Sequence, residues 1–397
     1  MKQTGSVFTR RANRRKFLKN GLIAAGAATV GGGMLTGPLS AFGEDRDDDE
    51  RAPITKGDIA ILTFLSALEE IEEDLWTQYS ELGGVQDNEI SGVNGGNSLY
   101  QAALQILDGD MPQYIHDNTD DEISHHRFLN NFLASKGAKT VDLSKNFATL
   151  PSSTADGARQ IGRLTNLTQL TIDTSFWSRY RSVTNPDFDL DAQFVQAVPT
   201  LSVNQHTAIP RSNADTAGSS IGSLSTHLQA IAFTAGFHFA FIEQGGSSLY
   251  PTLARKVTNL QVLRILLSIG PSETMHFQTW QDKAGNALAL TDVDNGPGGT
   301  GATVTFTDLS KAQGETNPES LNGDTLQANL IMPEPCDFID PALGPVAIVR
   351  PTSTNLNGAV AAVLGLVNDG LFIGQPQQFV DILFDLAHEA DIARREF

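Results

Sequence analysis

One grammar occurs twice in this chain and governs what it can fold into. Glu72 is followed seven residues on by Tyr79, and later come Glu122 and, three residues on, His125; Glu243 is followed by Tyr250, and later come Glu273 and His276. On a helix of about 3.6 residues per turn, positions seven apart lie on one stripe and positions three apart are neighbours on one face. Each pair therefore looks at one place from one helix. Two copies specify four helices, four carboxylates and two imidazoles.

The apolar pattern around these residues supports that reading. Ile61, Leu65, Leu68, Glu72, Leu75, Tyr79 and Leu82 step by four and three, which predicts a helix over 57–82 with one buried seam. Glu72 stands where a hydrophobe is due, and an unpaired carboxylate there is costly enough to demand a cation. Glu69, Glu70 and Glu73 lie off the seam and read as a solvated face. A second helix, broken near Gly109, has its useful part over 111–136, with Ile115, Glu122, His125, Leu129 and Phe132 on one stripe. His126, one step round, competes as a ligand, but spacing favours His125.

A third helix is expected over 223–253, where Phe239, Glu243, Gly246, Tyr250 and Leu253 share a line and His238 falls off it as packing. Gly245-Gly246 weakens that helix by about 1 kcal/mol per glycine, so it marks a close approach or a local distortion. The fourth, over 260–284, puts Leu263, Leu266, Gly270, Glu273, His276 and Trp280 inside, with a kink expected at Gly270-Pro271.

A Glu from each of two helices plus a Glu-x-x-His from each of the other two is the di-metal carboxylate arrangement of four-helix bundles. Two divalent ions balance the charges of Glu72, Glu122, Glu243 and Glu273, which makes the cluster tolerable in an apolar core. In that arrangement Glu122 and Glu273 bridge, Glu72 and Glu243 are terminal, and His125 and His276 take one ion each. Oxygen and imidazole donors suit two iron or two manganese ions, and donor type does not separate those metals. The competing reading is a set of salt-bridged carboxylates without metal. Tyr79 and Tyr250 read as hydrogen-bond partners of the terminal glutamates, as electron carriers, or simply as core.

Composition narrows the partners. The formal charge of the 397 residues is −19, and Lys2, Arg10, Arg11, Arg14, Arg15, Lys16 and Lys19 are seven of the 27 bases, which leaves 20 bases against 46 acids in the remainder. Such a surface repels phosphate backbones, so nucleic acid is not an expected partner. Cys336, the single cysteine, excludes an internal disulfide framework and cysteine-based zinc or iron centres. Residues 1–43 combine a basic stretch, a mildly apolar stretch and small residues around Ala41-Phe42-Gly43, the layout of a secretory signal. Arg14-Arg15 followed by Phe17-Leu18-Lys19 resembles the twin-arginine export signal. Periplasmic or extracellular localisation through that machinery follows, with no stable membrane span after processing.

Residues 44–56 read as an acidic linker, 57–285 as the helical domain with an irregular insertion over 138–222, and 286–397 as a C-terminal extension. Asp173, Asp187, Asp189 and Asp191 in the insertion lack calcium-loop spacing and read as surface. The extension carries strand-like runs over 302–306 and 346–349, a small apolar helix over 359–367, and a terminal helix over 377–395 docking by Phe379, Leu383 and Leu386; His388 and Glu389 read as surface.

At these residues the chain resembles the ferritin-like superfamily, in particular exported ferritin-like domain proteins related to plant desiccation-associated proteins. The likeness covers 57–137 and 223–285, and Thr165-Asn166-Leu167-Thr168, Asp173-Thr174-Ser175-Phe176-Trp177 and Arg179-Tyr180-Arg181 extend it. It implies a mainly α fold, an antiparallel four-helix bundle, with dioxygen or peroxide chemistry or iron handling at a di-iron or di-manganese centre. The long insertion and the extension argue against a ferritin storage shell, and the oligomeric state stays open. Three functions compete: a redox enzyme, a metal-binding or storage protein, and a stress-related structural protein using metal for stability alone. The intact ligand set favours chemistry over the third.

Overall fold

The computed structural model describes residues 53–179, 196–309, 333–334, 340–344, 346–347 and 358–396. The proposed signal with Arg14-Arg15, most of the acidic linker, Tyr180-Arg181, Asp187, Asp189, Asp191 and Cys336 lie outside them. The described chain is mainly helical, with sheet limited to two short antiparallel pairs. Among the described residues no helix is long and apolar enough to cross a membrane.

Helix α1 (Lys56–Gly83) opens on a capping box: the Thr55 hydroxyl accepts from the Asp58 amide, and Asp58 accepts from the Thr55 amide, each at 3.0 Å. The expected break near Gly109 separates α2 (Ser98–Leu104) from α3 (Met111–Ser135). The short helices α4 (Ser144–Phe147) and α5 (Ser175–Arg179) punctuate an otherwise irregular insertion. Helix α6 (Thr226–Ala254) starts three residues later than 223, because Ser225 caps it by accepting from the Leu228 amide. Helix α7 (Leu260–Ala284) is capped by Asn259 and continues through Gly270-Pro271. Strands β1 (Leu290–Val293) and β2 (Thr303–Phe306) pair antiparallel, with Leu290 opposite Phe306. Strands β3 (Pro333–Glu334) and β4 (Val346–Ala347) make the second pair, followed by α8 (Ala359–Asn368) and α9 (Gln377–Ile392).

The long helices run against one another in opposite directions, as their side-chain partners show. Tyr250 meets Glu69 while Tyr79 meets His238, which sets α6 antiparallel to α1. His276 meets Asp121, Ser272 meets His125 and Gln261 meets Lys136, so α7 is antiparallel to α3. Glu243 lies by His276 and Tyr250 by Gly270, which gives the same relation between α6 and α7. At the centre Trp76 of α1 stacks on Phe239 of α6 and Trp280 of α7, with ring centroids 4.9 and 5.3 Å away. Helix α9 docks on α1 through buried Phe379, Leu383, Ala387 and Ala390, while Leu386 is half-buried and His388 and Glu389 are exposed.

Candidate metal centre

Side chains from all four long helices meet in one buried place. Two sets of donors lie within 4.8 Å of one another: Glu69, Glu122, His125 and Glu273 form one, and Glu122, Glu243, Glu273 and His276 the other. Glu122 and Glu273 belong to both. The Nδ1 of His125 faces three carboxylates, Glu122 Oε2 at 3.0 Å, Glu69 Oε2 at 3.3 Å and Glu273 Oε1 at 3.3 Å. The Nδ1 of His276 faces Glu122 Oε1 at 3.2 Å and Glu243 Oε2 at 3.3 Å.

Outer contacts hold these ligands in position. Asn118 Nδ2 donates to Glu122 Oε1 at 2.8 Å and to Glu243 Oε1 at 3.0 Å, and Trp280 Nε1 fixes Asn118 by donating to its Oδ1 at 2.7 Å. The outer nitrogen of His125 lies 3.2 Å from Ser272 Oγ, and that of His276 lies 3.0 Å from Asp121 Oδ2. These partners orient the rings so that both Nδ1 atoms point inward. Sequence reasoning missed Asn118, Asp121 and Ser272; the one available signal was that Asn118 precedes Glu122 by four residues, on the same helical face.

Glu69 corrects the reading of α1. It is 1% exposed rather than solvated, accepts a hydrogen bond from the Tyr250 hydroxyl, and joins the first donor set. Glu72, three residues on, is half-buried on the same side, lines an adjoining cavity of about 310 Å³ with Leu68, Gly246 and Leu366, and belongs to neither donor set. Glu70 is also buried, and its carboxylate accepts from the Leu143 and Ser144 amides at 2.7 and 2.8 Å, pinning the insertion at the start of α4. Half-buried Glu73 holds His126 Nδ1 at 2.7 Å, which turns His126 away from the cluster.

The tyrosines also depart from expectation. Tyr250 instead crosses to Glu69, and Tyr79 bonds His238 Nδ1 at 2.7 Å. His238, fully buried, is therefore a polar partner, and its other nitrogen lies 3.6 Å from Asp369 Oδ2. Gly246 marks a close approach, since a Cβ there would stand 2.7 Å from Glu273 Oε2.

Crowding of carboxylates in a dry site disfavours their charged forms. Burial, with the charge of Glu273 beside it, pushes Glu122 up to about 7. Burial, with Glu243 and Glu69 adding to it, pushes Glu273 up to about 8. Burial also raises Glu243, and burial with the charge of Glu273 lifts Glu72 well above the carboxylate range. Burial works the same way on Glu69, but the facing His125 outweighs it and leaves Glu69 below its usual value. Burial opposes charging of the two rings, yet Glu69 for His125 and Glu243 for His276 hold both well above the usual imidazole range.

The donor set fits a pair of cations. Oε2 of Glu273 is buried without a hydrogen-bond partner, and Glu273 Oε1 and Glu69 Oε2 have only the His125 Nδ1 that they share with Glu122, at 3.3 Å each. Buried carboxylate oxygens left short of donors in this way have acceptor capacity that a cation, a water or a proton can take up. Comparison with family models, with curated proteins and with solved structures gives no match to this chain.

Proposed function

We propose that the chain is a di-metal carboxylate protein of ferritin-like, four-helix-bundle type, exported by the twin-arginine route and acting in oxygen, peroxide or iron redox chemistry outside the cytoplasm. The observation that carries the reading is that the two donor sets share Glu122 and Glu273, the two residues whose Glu-x-x-His position made them the expected bridges. Glu69 and His125 would complete one position, and Glu243 and His276 the other. Antiparallel packing of the four long helices and the order of the repeated motif support the ferritin-like assignment.

A pair of iron or manganese ions held there would supply one-electron chemistry toward oxygen or peroxide. The chain's own residues perform the rest. Asn118, locked by Trp280, keeps Glu122 and Glu243 at fixed orientation, and the Trp76, Phe239 and Trp280 stack excludes water from that side. On the other side the Tyr250 hydroxyl donates a hydrogen bond to the Glu69 carboxylate, beside a cavity with room for a small molecule. This opening beside Glu69 and Glu72 favours reaction with a small molecule over closed structural binding.

Metal analysis of purified protein tests the reading, followed by stopped-flow absorbance as oxygen or peroxide meets the reduced form. About two iron or manganese ions per chain and a spectral change are expected, both lost in Glu122→Ala and Glu273→Ala. Absence of both metals overturns the proposal. Metal without reaction leaves a non-catalytic, stress-related or storage protein on the same scaffold. Changing Arg14 and Arg15 together to lysine should retain the precursor inside the cell, and normal secretion of that variant refutes the export route.

A further inference from the structure

We propose that His206, His227 and Asp292 form a second, separate cation site, which takes one divalent ion of zinc type and ties the insertion and the β1–β2 hairpin to the start of α6. The three side chains come from segments far apart in sequence: the insertion, the first turn of α6 and strand β1. Their donors converge on one carboxylate oxygen, since His206 Nε2 is 3.1 Å and His227 Nδ1 is 2.7 Å from Asp292 Oδ2. Two ligand atoms about 2.1 Å from a shared tetrahedral ion stand roughly 3.4 Å apart, so a small opening of these contacts admits the ion.

The hydrogen bonds behind the rings carry the argument. His206 is fully buried, and its Nδ1 meets the Thr207 carbonyl at 2.9 Å and Thr234 Oγ1 at 3.0 Å. The Thr234 hydroxyl donates to the Ala230 carbonyl at 2.8 Å, so both neighbours of His206 Nδ1 accept and that nitrogen carries the proton. A neutral His206 therefore turns a bare Nε2 lone pair toward Asp292, which is repulsive unless a metal ion or a second proton stands between them. His227 has the same construction: its Nε2 lies 3.1 Å from Asp215 Oδ1, which leaves Nδ1 facing inward. An imidazole whose outer N–H is held by a carbonyl or carboxylate is the usual form of a metal-ligating histidine.

Charge points the same way. Arg211 binds Asp215 and Asp294, with contacts from 2.6 to 3.1 Å. With neutral imidazoles, Asp215, Asp292 and Asp294 outnumber Arg211 by two charges in this cluster, which one divalent ion neutralises; without it, against the opposition of burial, the hydrogen bonds to Asp215 and Asp292 push His227 up to about 9, so the ion takes the place of a proton on that ring. Two nitrogens and one carboxylate oxygen suit zinc, with a fourth position open to water. His227 is half-buried, which gives an ion a way in.

The site is independent of the Glu122 and Glu273 centre, and its test uses the full chain stripped by chelator in a Glu122→Ala, Glu273→Ala background. Titration with Co²⁺ as a visible probe should show one equivalent bound, with d–d bands displaced by Zn²⁺, and Zn²⁺ should raise the melting temperature. His227→Gln and Asp292→Asn, each checked for folding by circular dichroism, should weaken cobalt binding at least tenfold and abolish the zinc-dependent rise. If the background variant fails to fold, the wild-type chain loaded with zinc should lose one bound ion on His227→Gln. Absence of bands in excess cobalt, or binding unchanged by His227→Gln, overturns the proposal and leaves a proton-filled hydrogen-bond network.

Discussion

The adjacent glycines of α6 should respond in opposite ways to the same substitution. Alanine in place of glycine inside a helix stabilises by about 1 kcal/mol when the new methyl group meets nothing. Gly245 satisfies that condition, with no atom within 4 Å of its virtual Cβ. At Gly246 the methyl would stand 2.7 Å from Glu273 Oε2 and 3.3 Å from its Cδ and Cγ, so the carboxylate must retreat by about 0.7 Å to reach an ordinary 3.4 Å contact. It has little room, because the His125 ring and the donors of Glu122, Glu243 and His276 surround it. Overpacking of this kind costs about 1–3 kcal/mol, which offsets or exceeds the helical gain. A ligand shared by both donor sets, displaced by more than the roughly 0.5 Å that a functional site tolerates, should also lower metal affinity about tenfold or more. Urea unfolding of the metal-free variants and metal titration would read both effects. Equal stabilisation by Gly245→Ala and Gly246→Ala, with unchanged metal content, would refute the close approach of Glu273 to α6.

Two further outcomes follow from the protonation of the cluster and from the tyrosines. Glu122 at about 7 and Glu273 at about 8 lie above their unfolded values near 4.3, so the folded metal-free chain binds more protons than the unfolded one and loses stability as pH rises through that window. The raised His125 and His276 act in the same direction above about pH 6.5, and chelation should therefore lower the melting temperature more at pH 8 than at pH 5.5; a drop that ignores pH contradicts the linkage. Tyr250→Phe should destabilise by about 1–3 kcal/mol by leaving buried Glu69 Oε1 without its donor, and should weaken metal retention. Tyr79→Phe should leave metal content unchanged, because its hydroxyl serves His238; thermal melts and metal analysis of both variants would check this.

The helices were legible because their seams are apolar and long. Ile61 to Leu82 and Leu263 to Trp280 step by fours and threes, broken only at Glu72 and at Gly270, Glu273 and His276, and the structure places helices over both. The start of α6 was less legible because Ser225, and not the apolar pattern, sets it. Glu-x-x-His spacing brought Glu122, His125, Glu273 and His276 to one place, since a three-residue step within a helix fixes a shared face whatever surrounds it. What spacing does not contain is the rotation of one helix against another, and Glu69 was misread for that reason. It lies one step off the seam, and it points inward only because Tyr250 and His125 arrive from α6 and α3 to meet it. The same gap hid the His206, His227 and Asp292 cluster, whose members are joined by tertiary contacts alone.

Adding Glu69 to the site changes its charge balance and so the role of Glu72. Five glutamates beside two divalent ions would leave one negative charge uncompensated in an apolar core, which is unfavourable unless one of them is neutral. The environments of the two α1 glutamates select which one. Glu69 faces His125 and is held below its usual value, whereas burial and the charges of Glu273 and Glu69 lift Glu72 well above it. The directions of these shifts favour Glu69 as the carboxylate that stays charged and Glu72 as the one that takes up a proton, beside the cavity. Glu69, Glu122, Glu243 and Glu273 then match two divalent ions, and Glu72 stands next to them as a neutral acid. Glu72→Gln should therefore keep two ions per chain and cost little stability, because an amide replaces a protonated carboxyl of the same shape. Glu69→Gln should lose at least one ion and lower the melting temperature of the loaded protein. Metal counting on the two variants decides the matter: if Glu72→Gln releases metal and Glu69→Gln retains it, Glu72 is the terminal ligand and the assignment of α1 must be reversed.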